Sequence, residues 1–177
     1  MLERLASILE AATGFFGRVA AFLVLSLVLL VATNVLLRYF FRTGSVWSQE
    51  LEWHLLAPIA LLGIPYALMQ GYYVRVDVLY ERFSERAQLW LDIVAGVVGM
   101  AAALLLLKFS IPYVDKSFVN LEGSPDPGGL PARYILKAVL PLGFLVLFIQ
   151  QLAYTIRTGL RLGGVGQGEP DSPSPQT

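Results

Sequence analysis

Four long runs without a charged residue constrain the fold of this chain more than any other feature of its sequence. They comprise 19 residues between Arg18 and Arg38, 22 from Trp53 to Val74, 15 between Asp92 and Lys108, and 19 between Lys137 and Arg157. A bilayer core needs roughly 20 apolar residues at helical rise, and in lipid every backbone amide must be paired within its own segment. The sequence therefore predicts an all-α membrane protein with four transmembrane helices in a bundle.

The runs belong to a single predicted domain, residues 1–162, with spans at approximately 17–38, 51–73, 90–112 and 134–157. The third run reaches full length if Lys108 extends its amine towards the headgroups. Residues 1–16 carry apolar side chains at helical spacing, which predicts a short amphipathic lead-in at the interface. A cleaved signal peptide is the alternative, but Glu3 and Glu10 precede the run, so we interpret it as an anchor. The Gly-, Pro- and Ser-rich residues 163–177 predict a disordered tail.

Composition argues against several other classes of protein. Hydrophobic residues make up 56% of the chain and charged residues only 15%, whereas a soluble domain is about one quarter charged. The net charge of zero gives no indication of nucleic-acid binding. With one histidine and no cysteine, the chain lacks paired haem ligands and zinc ligand sets, so we expect no cofactor and no metal.

The interior of the spans is also informative. Ionisable residues deep in a membrane usually mark an ion or substrate path, and none of the four runs contains Asp, Glu, Lys or Arg. This absence argues against a self-sufficient small four-helix carrier or exporter. A membrane anchor subunit of an enzyme complex is another alternative. A carrier should have an acidic residue within a span.

The segment GSVWSQELEWHL, residues 44–55, places charge beside aromatic residues at the start of the second span. We expect Ser48 to cap a helix whose first turn carries Glu50 and Glu52, where negative charge favours the positive helix end. Trp47 and Trp53 would lie at the membrane interface.

Two further interactions of this segment are predicted. Arg38 and Arg42 precede it, so an Arg–Glu brace across the connection is one interpretation, and a docking site is the other. His54 lies one turn after Glu50, so these two residues should be in contact on one helix face.

Small residues recur at three- and four-residue spacing in the second and third spans. They are Gly63, Ala67 and Gly71, then Ala95, Gly99 and Ala103. Such stripes permit close approach of helices. They predict either packing within this bundle or a groove for another membrane subunit. Pro58 and Pro65 should kink or tilt the second helix.

The longest predicted connection runs from Pro112 to Arg133 and contains the turn-rich segment SPDPGGLP. It is either a simple connection or a docking site for a partner. Pro131 suits the first turn of the fourth helix, and Ser84 is a suitable N-cap for the third.

The order NVLLRYFF, VWSQE, a glycine-containing span and VRVDVLYERFSER resembles the small membrane subunit, or Q subunit, of tripartite ATP-independent periplasmic (TRAP) transporters. The similarity covers roughly residues 15–160. The motif positions that match the family are Arg38, Trp47, Glu50, Arg75 and Asp77. Gln49 stands where family members often have the first of two acids.

This resemblance implies a multi-pass protein of the bacterial inner membrane with both termini cytoplasmic. The charge bias alone does not decide that orientation, because seven basic residues lie on the terminal side and six on the other. The resemblance also implies a large permease subunit and a periplasmic substrate-binding protein as partners. Together they would import an organic acid by symport with a cation, expected to be sodium, while this subunit acts as a scaffold.

Overall fold

The computed structural model describes residues 1–72 and 80–164, and four long helices account for most of them. Their bounds are α1 Leu2–Phe41, α2 Val46–Met69, α3 Glu85–Val119 and α4 Arg133–Leu162. Each is long and apolar enough to cross a membrane, and the described residues contain no strand. The predicted all-α fold with four spans is confirmed.

The amphipathic lead-in is not a separate element, because α1 continues without a break from Leu2 to Phe41. Its 40 residues extend about 60 Å at 1.5 Å per residue, roughly twice the thickness of a bilayer core. The first 16 residues therefore form an extension of the first span beyond the apolar run.

The helix α4 lies at the centre of the packing arrangement. It contacts α1, α2 and α3, while α1 also packs against α2. In the described residues, α4 is the only helix against which α3 packs extensively. The buried core forms where α1, α2 and α4 meet, and it contains Ala20, Leu62 and Val146, with Phe16 and Val19 packed against them.

Helix α2 begins one turn earlier than the sequence suggested. Its N-cap is Ser45, whose hydroxyl accepts a hydrogen bond from the Ser48 amide at 3.3 Å. The expectation that Ser48 caps this helix was wrong, because Ser45 has the extended backbone that a cap requires. The expectation that the first turn carries Glu50 and Glu52 was wrong for the same reason, since a helix that begins at Val46 has no acid in its first turn. Ser48 is buried in the first turn, and its hydroxyl donates to the Ser45 carbonyl at 3.0 Å. The predicted cap of α3, Ser84, is confirmed by its hydrogen bond from the Ala87 amide.

The connection between α3 and α4 is shorter than predicted. Helix α3 continues through Pro112 to Val119, so the connection comprises residues 120–132, here termed the α3–α4 loop. Pro131 lies before α4 and not in its first turn, because Ala132 adopts a left-handed backbone with φ 63° and the helix begins only at Arg133. Helix α2 also continues across Pro58 and Pro65.

Candidate functional site

The α3–α4 loop folds back onto the first turns of α2, and the Glu50 side chain holds it there. One carboxylate oxygen, Oε2, accepts a hydrogen bond from the Leu130 amide at 2.6 Å, and Oε1 accepts one from the Ser124 hydroxyl. Only 8% of Glu50 is exposed. Because charge-assisted hydrogen bonds are the stronger ones, this carboxylate is the main tie between the loop and α2.

The loop is also ordered by its own backbone. The Ser124 amide donates to the Leu130 carbonyl at 3.1 Å, and the Gly129 amide donates to Asp126 at 3.0 Å. A Cβ atom on Gly129 would lie 2.7 Å from Oε2 of Glu50 and 2.3 Å from the Ser124 hydroxyl. A side chain at position 129 would therefore displace Ser124 or the Glu50 carboxylate from the positions in which they hold the loop.

A second carboxylate, Glu122, ties the end of α3 to the start of α4. Its Oε2 accepts hydrogen bonds from Lys137 at 2.5 Å and from the Ser117 hydroxyl at 2.7 Å. These two bonds, Lys137 first, hold the pKa of Glu122 below its ordinary value. Its backbone carbonyl also accepts a hydrogen bond from the Arg133 amide at 2.8 Å. The α3–α4 loop is thus fixed at both ends by acids that need to be ionised.

Glu52 has a different partner from Glu50. Its Oε1 accepts a hydrogen bond from the Asn34 side-chain amide at 2.7 Å, which joins α2 to α1. The predicted brace from Arg38 or Arg42 to these acids was wrong. Both arginines are exposed at the end of α1, while Asn34 lies one turn deeper on the helix that faces α2.

His54 does contact Glu50, but through the backbone. Its Nδ1 lies 2.7 Å from the Glu50 carbonyl oxygen, whereas Nε2 is buried without a hydrogen-bond partner in the described structure. The ring borders a cavity of about 150 Å³ that Glu50, Trp53, Asp126 and Arg133 also line. The cavity lies between α2, the α3–α4 loop and the start of α4, and is large enough for a few water molecules.

Trp47 and Trp53 are 49% and 71% exposed, so both rings face away from the chain at the start of α2. This placement suits side chains that anchor a helix at the membrane interface. Arg75 and Asp77 lie outside the described residues. The motif residues that the structure does describe are therefore divided between inward-facing Glu50 and outward-facing Arg38 and Trp47.

The small residues of the predicted stripes lie in different environments. In α3, Ala103 is fully buried and a Cβ on Gly99 would lie 2.7 Å from the Gln151 side chain of α4, whereas Ala95 is exposed. In α2, Ala67 is half-buried and the space beside Gly63 is open. Gly71 lies beyond the end of α2 with φ 83°.

Sequence reasoning did not single out three glycines at which helices approach most closely. A Cβ on Gly17 would lie 2.1 Å from the Tyr66 ring, one on Gly96 would lie 2.2 Å from the Thr155 hydroxyl, and one on Gly143 would lie 2.7 Å from Leu61. Gly96 and Gly99 form a three-residue pair opposite Thr155 and Gln151, and that spacing was the available signal.

No cluster of three or more His, Asp or Glu side chains that could hold a metal ion occurs in residues 1–72 and 80–164. The hydrogen-bonded acids instead connect helices: Glu50 and Glu122 order the α3–α4 loop, and Glu52 joins α1 and α2. The α1–α2 connection and the α3–α4 loop lie at the same end of the bundle, here termed the loop end. These acids organise the surface of the loop end.

Comparison with known proteins gives one family. Residues 27–161 match the model of the family described as tripartite ATP-independent periplasmic transporters, DctQ component. The C4-dicarboxylate TRAP transporter small permease protein DctQ of Vibrio cholerae is 26% identical over 78% of this chain and 69% of its own length. The protein of the same name from Pseudomonas aeruginosa is 29% identical over 63% of this chain and 53% of its own.

The ectoine TRAP transporter small permease protein TeaB of Halomonas elongata is 28% identical over 73% of this chain and 68% of its own length. The region matched by the family model begins in the first span and ends in α4, so it includes both ends of the Glu50 contact. The matched residues make up most of the chain and include parts of all four apolar helices. The chain therefore belongs to the DctQ family of small permease components of TRAP transporters.

Proposed function

We propose that this small permease subunit is a non-catalytic scaffold for a large membrane subunit, which binds the substrate and the coupling cation. The observation that carries the proposal is how little of each span is covered by the chain itself. Buried residues make up 6% of the most apolar part of α1, 11% of α2 and of α3, and 17% of α4. A multi-pass inner-membrane protein with so much apolar surface has room for a large partner beside lipid.

Helix α3 offers an uncovered face. In the described residues it packs extensively only on α4, and its outward residues Val94, Val98, Leu105 and Phe109 are each more than half exposed. Without a hydrophobic driving force in lipid, such a face needs shape complementarity to bind a partner, and the small residues nearby permit close approach. This supports a role for α3, and the open space beside Gly63 supports a second contact on α2.

The loop end is proposed to contact a periplasmic substrate-binding protein, with both termini in the cytoplasm. The support for this is that the α3–α4 loop is pre-organised by Glu50 and Glu122 while Pro125, Asp126 and Pro127 remain exposed. A loop whose conformation is already fixed loses little entropy when a partner binds.

The proposed transport is uptake of an organic acid driven by a cation gradient, with sodium as the ion. The relatives from Vibrio cholerae and Pseudomonas aeruginosa are named for C4-dicarboxylates, and the one from Halomonas elongata for ectoine. These names support a small polar organic substrate, and the assignment to an organic acid rests on the two dicarboxylate relatives.

The experiment uses the absence of cysteine from the chain. Single cysteines at Val98 on α3 and at Val28 on α1, both exposed, would be crosslinked in membranes that also contain the large permease subunit of the same transporter. We expect a crosslinked heterodimer from at least one of these faces, with no product from a cysteine at buried Ala103 as the matched control. The proposal is refuted if the large subunit transports at the normal rate without this chain.

A self-sufficient small carrier is tested in parallel by reconstituting the purified chain alone. The scaffold proposal predicts no sodium- or proton-driven uptake of organic acid in such proteoliposomes, and uptake only when the large subunit and the binding protein are added. Cation-driven flux through the lone chain would overturn the scaffold assignment.

A further inference from the structure

A cleft lies at the other end of the bundle, where α1 begins and α4 ends. It has a volume of about 620 Å³ and is lined from α1 by Arg18 and Gly14, from the end of α2 by Met69, and from α4 by Arg157. Glu10, the ion-pair partner of Arg157, also lines the cleft, whereas Glu50, Glu52 and Glu122 do not, so the cleft is separate from the loop end.

The cleft lies at the level of the lipid headgroups. Arg18 precedes the 19-residue charge-free run of α1, and Arg157 follows the 19-residue run of α4. Arg18 and Arg38 are about 30 Å apart along the helix, the thickness of a bilayer core, so each lies at one boundary. The arginine side chains of the cleft are therefore placed where phospholipid phosphates lie.

The two arginines differ in their charge balance. The Nε and Nη2 groups of Arg157 donate to the two carboxylate oxygens of Glu10, and this ion pair neutralises the Arg157 guanidinium. Arg18 forms no hydrogen bond or ion pair with any other described residue. A guanidinium that is free, exposed and planar is suited to bidentate binding of a phosphate.

The remaining surroundings suit the apolar part of a lipid. A Cβ on Gly14 would lie 3.7 Å from the Met69 methyl group, so these two residues form an apolar part of the cleft wall. Phe22, one turn into the membrane from Arg18, is 68% exposed. An acyl chain can follow this face of α1 towards the bilayer centre.

We propose that this cleft binds the phosphate of a membrane phospholipid, with Arg18 as the phosphate-binding residue and with the glycerol and acyl groups along Gly14, Met69 and Phe22. The lipid fills the groove between α1 and α4, beside the Glu10–Arg157 ion pair that joins these two helices. The site involves neither the loop end nor the outer face of α3.

The test is native mass spectrometry of the full chain with three lipids of identical acyl chains: phosphatidylglycerol, phosphatidylethanolamine and diacylglycerol. We expect the two phospholipids to bind and diacylglycerol to bind weakly. Arg18→Gln should reduce phosphatidylglycerol occupancy about fivefold, the effect of one basic residue near an anionic surface. Arg38→Gln, at the opposite boundary of the same helix, is the matched control and should leave occupancy unchanged.

Two further results decide the assignment. Gly14→Leu should also reduce occupancy, because the new side chain fills the cleft while Arg18 is retained. The proposal is overturned if Arg18→Gln and Arg38→Gln bind phosphatidylglycerol equally, or if diacylglycerol binds as well as the phospholipids. Displacement of phosphatidylglycerol by inorganic phosphate would assign the site to soluble phosphate and would likewise overturn the lipid assignment.

Discussion

Replacing Gly17 by alanine tests whether the close approach of α1 and α2 is a structural requirement. The new methyl group would lie 2.1 Å from Cδ2 and 2.4 Å from Cγ of the Tyr66 ring. Carbon atoms are in optimal contact at about 3.5–4.0 Å, so the shortfall exceeds 1 Å. Because Cγ is near the root of the side chain, the clash is relieved only if Tyr66 changes rotamer or the two helices separate.

The expected cost follows from two opposing effects. Overpacking a well-packed contact costs about 1–3 kcal/mol, and a clash with a whole ring belongs in the upper part of that range. Alanine is favoured over glycine within a helix by about 1 kcal/mol. The net loss is then about 2 kcal/mol, which lowers the apparent melting temperature by about 4–8 °C for a chain of this size.

The matched control is Gly63→Ala, also within a span, where the space for a methyl group is open. There only the helix-propensity effect operates, so the melting temperature should rise slightly or stay unchanged. Both variants would be melted in detergent micelles and followed by circular dichroism. In a Tyr66→Ala background, Gly17→Ala should no longer destabilise, because the clashing ring is absent. If Gly17→Ala melts at or above the temperature of Gly63→Ala, the close approach is not a constraint and the reasoning fails.

Three further predictions concern the acids. Glu50→Ala should release the α3–α4 loop, so that its amides exchange hydrogen faster and both complex yield and uptake fall. Gln49→Ala, at an exposed neighbour, should change none of these three quantities. Unchanged exchange in both variants would show that the loop does not depend on the Glu50 contact. The pKa of Glu122 is lower in the folded chain than in the unfolded chain, so its contribution to stability is complete above the ordinary carboxyl pKa and is lost as the pH falls through the lowered value. Protection of the loop amides measured against pH should show this loss. Glu122→Gln should weaken the dependence and leave the part due to Glu50, and an unchanged dependence would contradict the role of Glu122. Asn34→Ala removes the amide that donates to Glu52 and should destabilise the bundle by about 0.6 kcal/mol, the mean for interhelical hydrogen bonds in membranes; a melting temperature equal to that of the native chain would contradict this.

The four spans were predictable because hydropathy acts locally: a run of about 20 apolar residues is unstable in water and must be helical in lipid. The bounds of the helices were less predictable. The third span was expected at 90–112, and although α3 begins after its predicted cap Ser84, it continues beyond that span to Val119. The apolar run marks only what lies within lipid, whereas the helix continues into polar surroundings until Asn120 caps it.

The sequence also indicated that Glu50 and Glu52 needed partners, since charges beside an apolar span are costly without them. It could not identify those partners. Ser124 and Leu130 are 74 and 80 residues from Glu50 along the chain, and nothing local distinguishes them from other turn residues. The nearby arginines were the plausible choice from sequence alone, and the structure places Asn34 against Glu52 instead.

By itself, then, the sequence determined that the chain is a bundle of four membrane-spanning helices. Only the tertiary structure decided that α4 is central, that α3 is left with an uncovered face, and that Gly17, Gly96 and Gly143 lie at close contacts between helices. The physical reason is the distance along the chain over which each effect acts. Hydropathy and capping depend on neighbours within a few turns, whereas contacts between helices depend on how each helix is rotated and shifted against the others, which no single segment specifies.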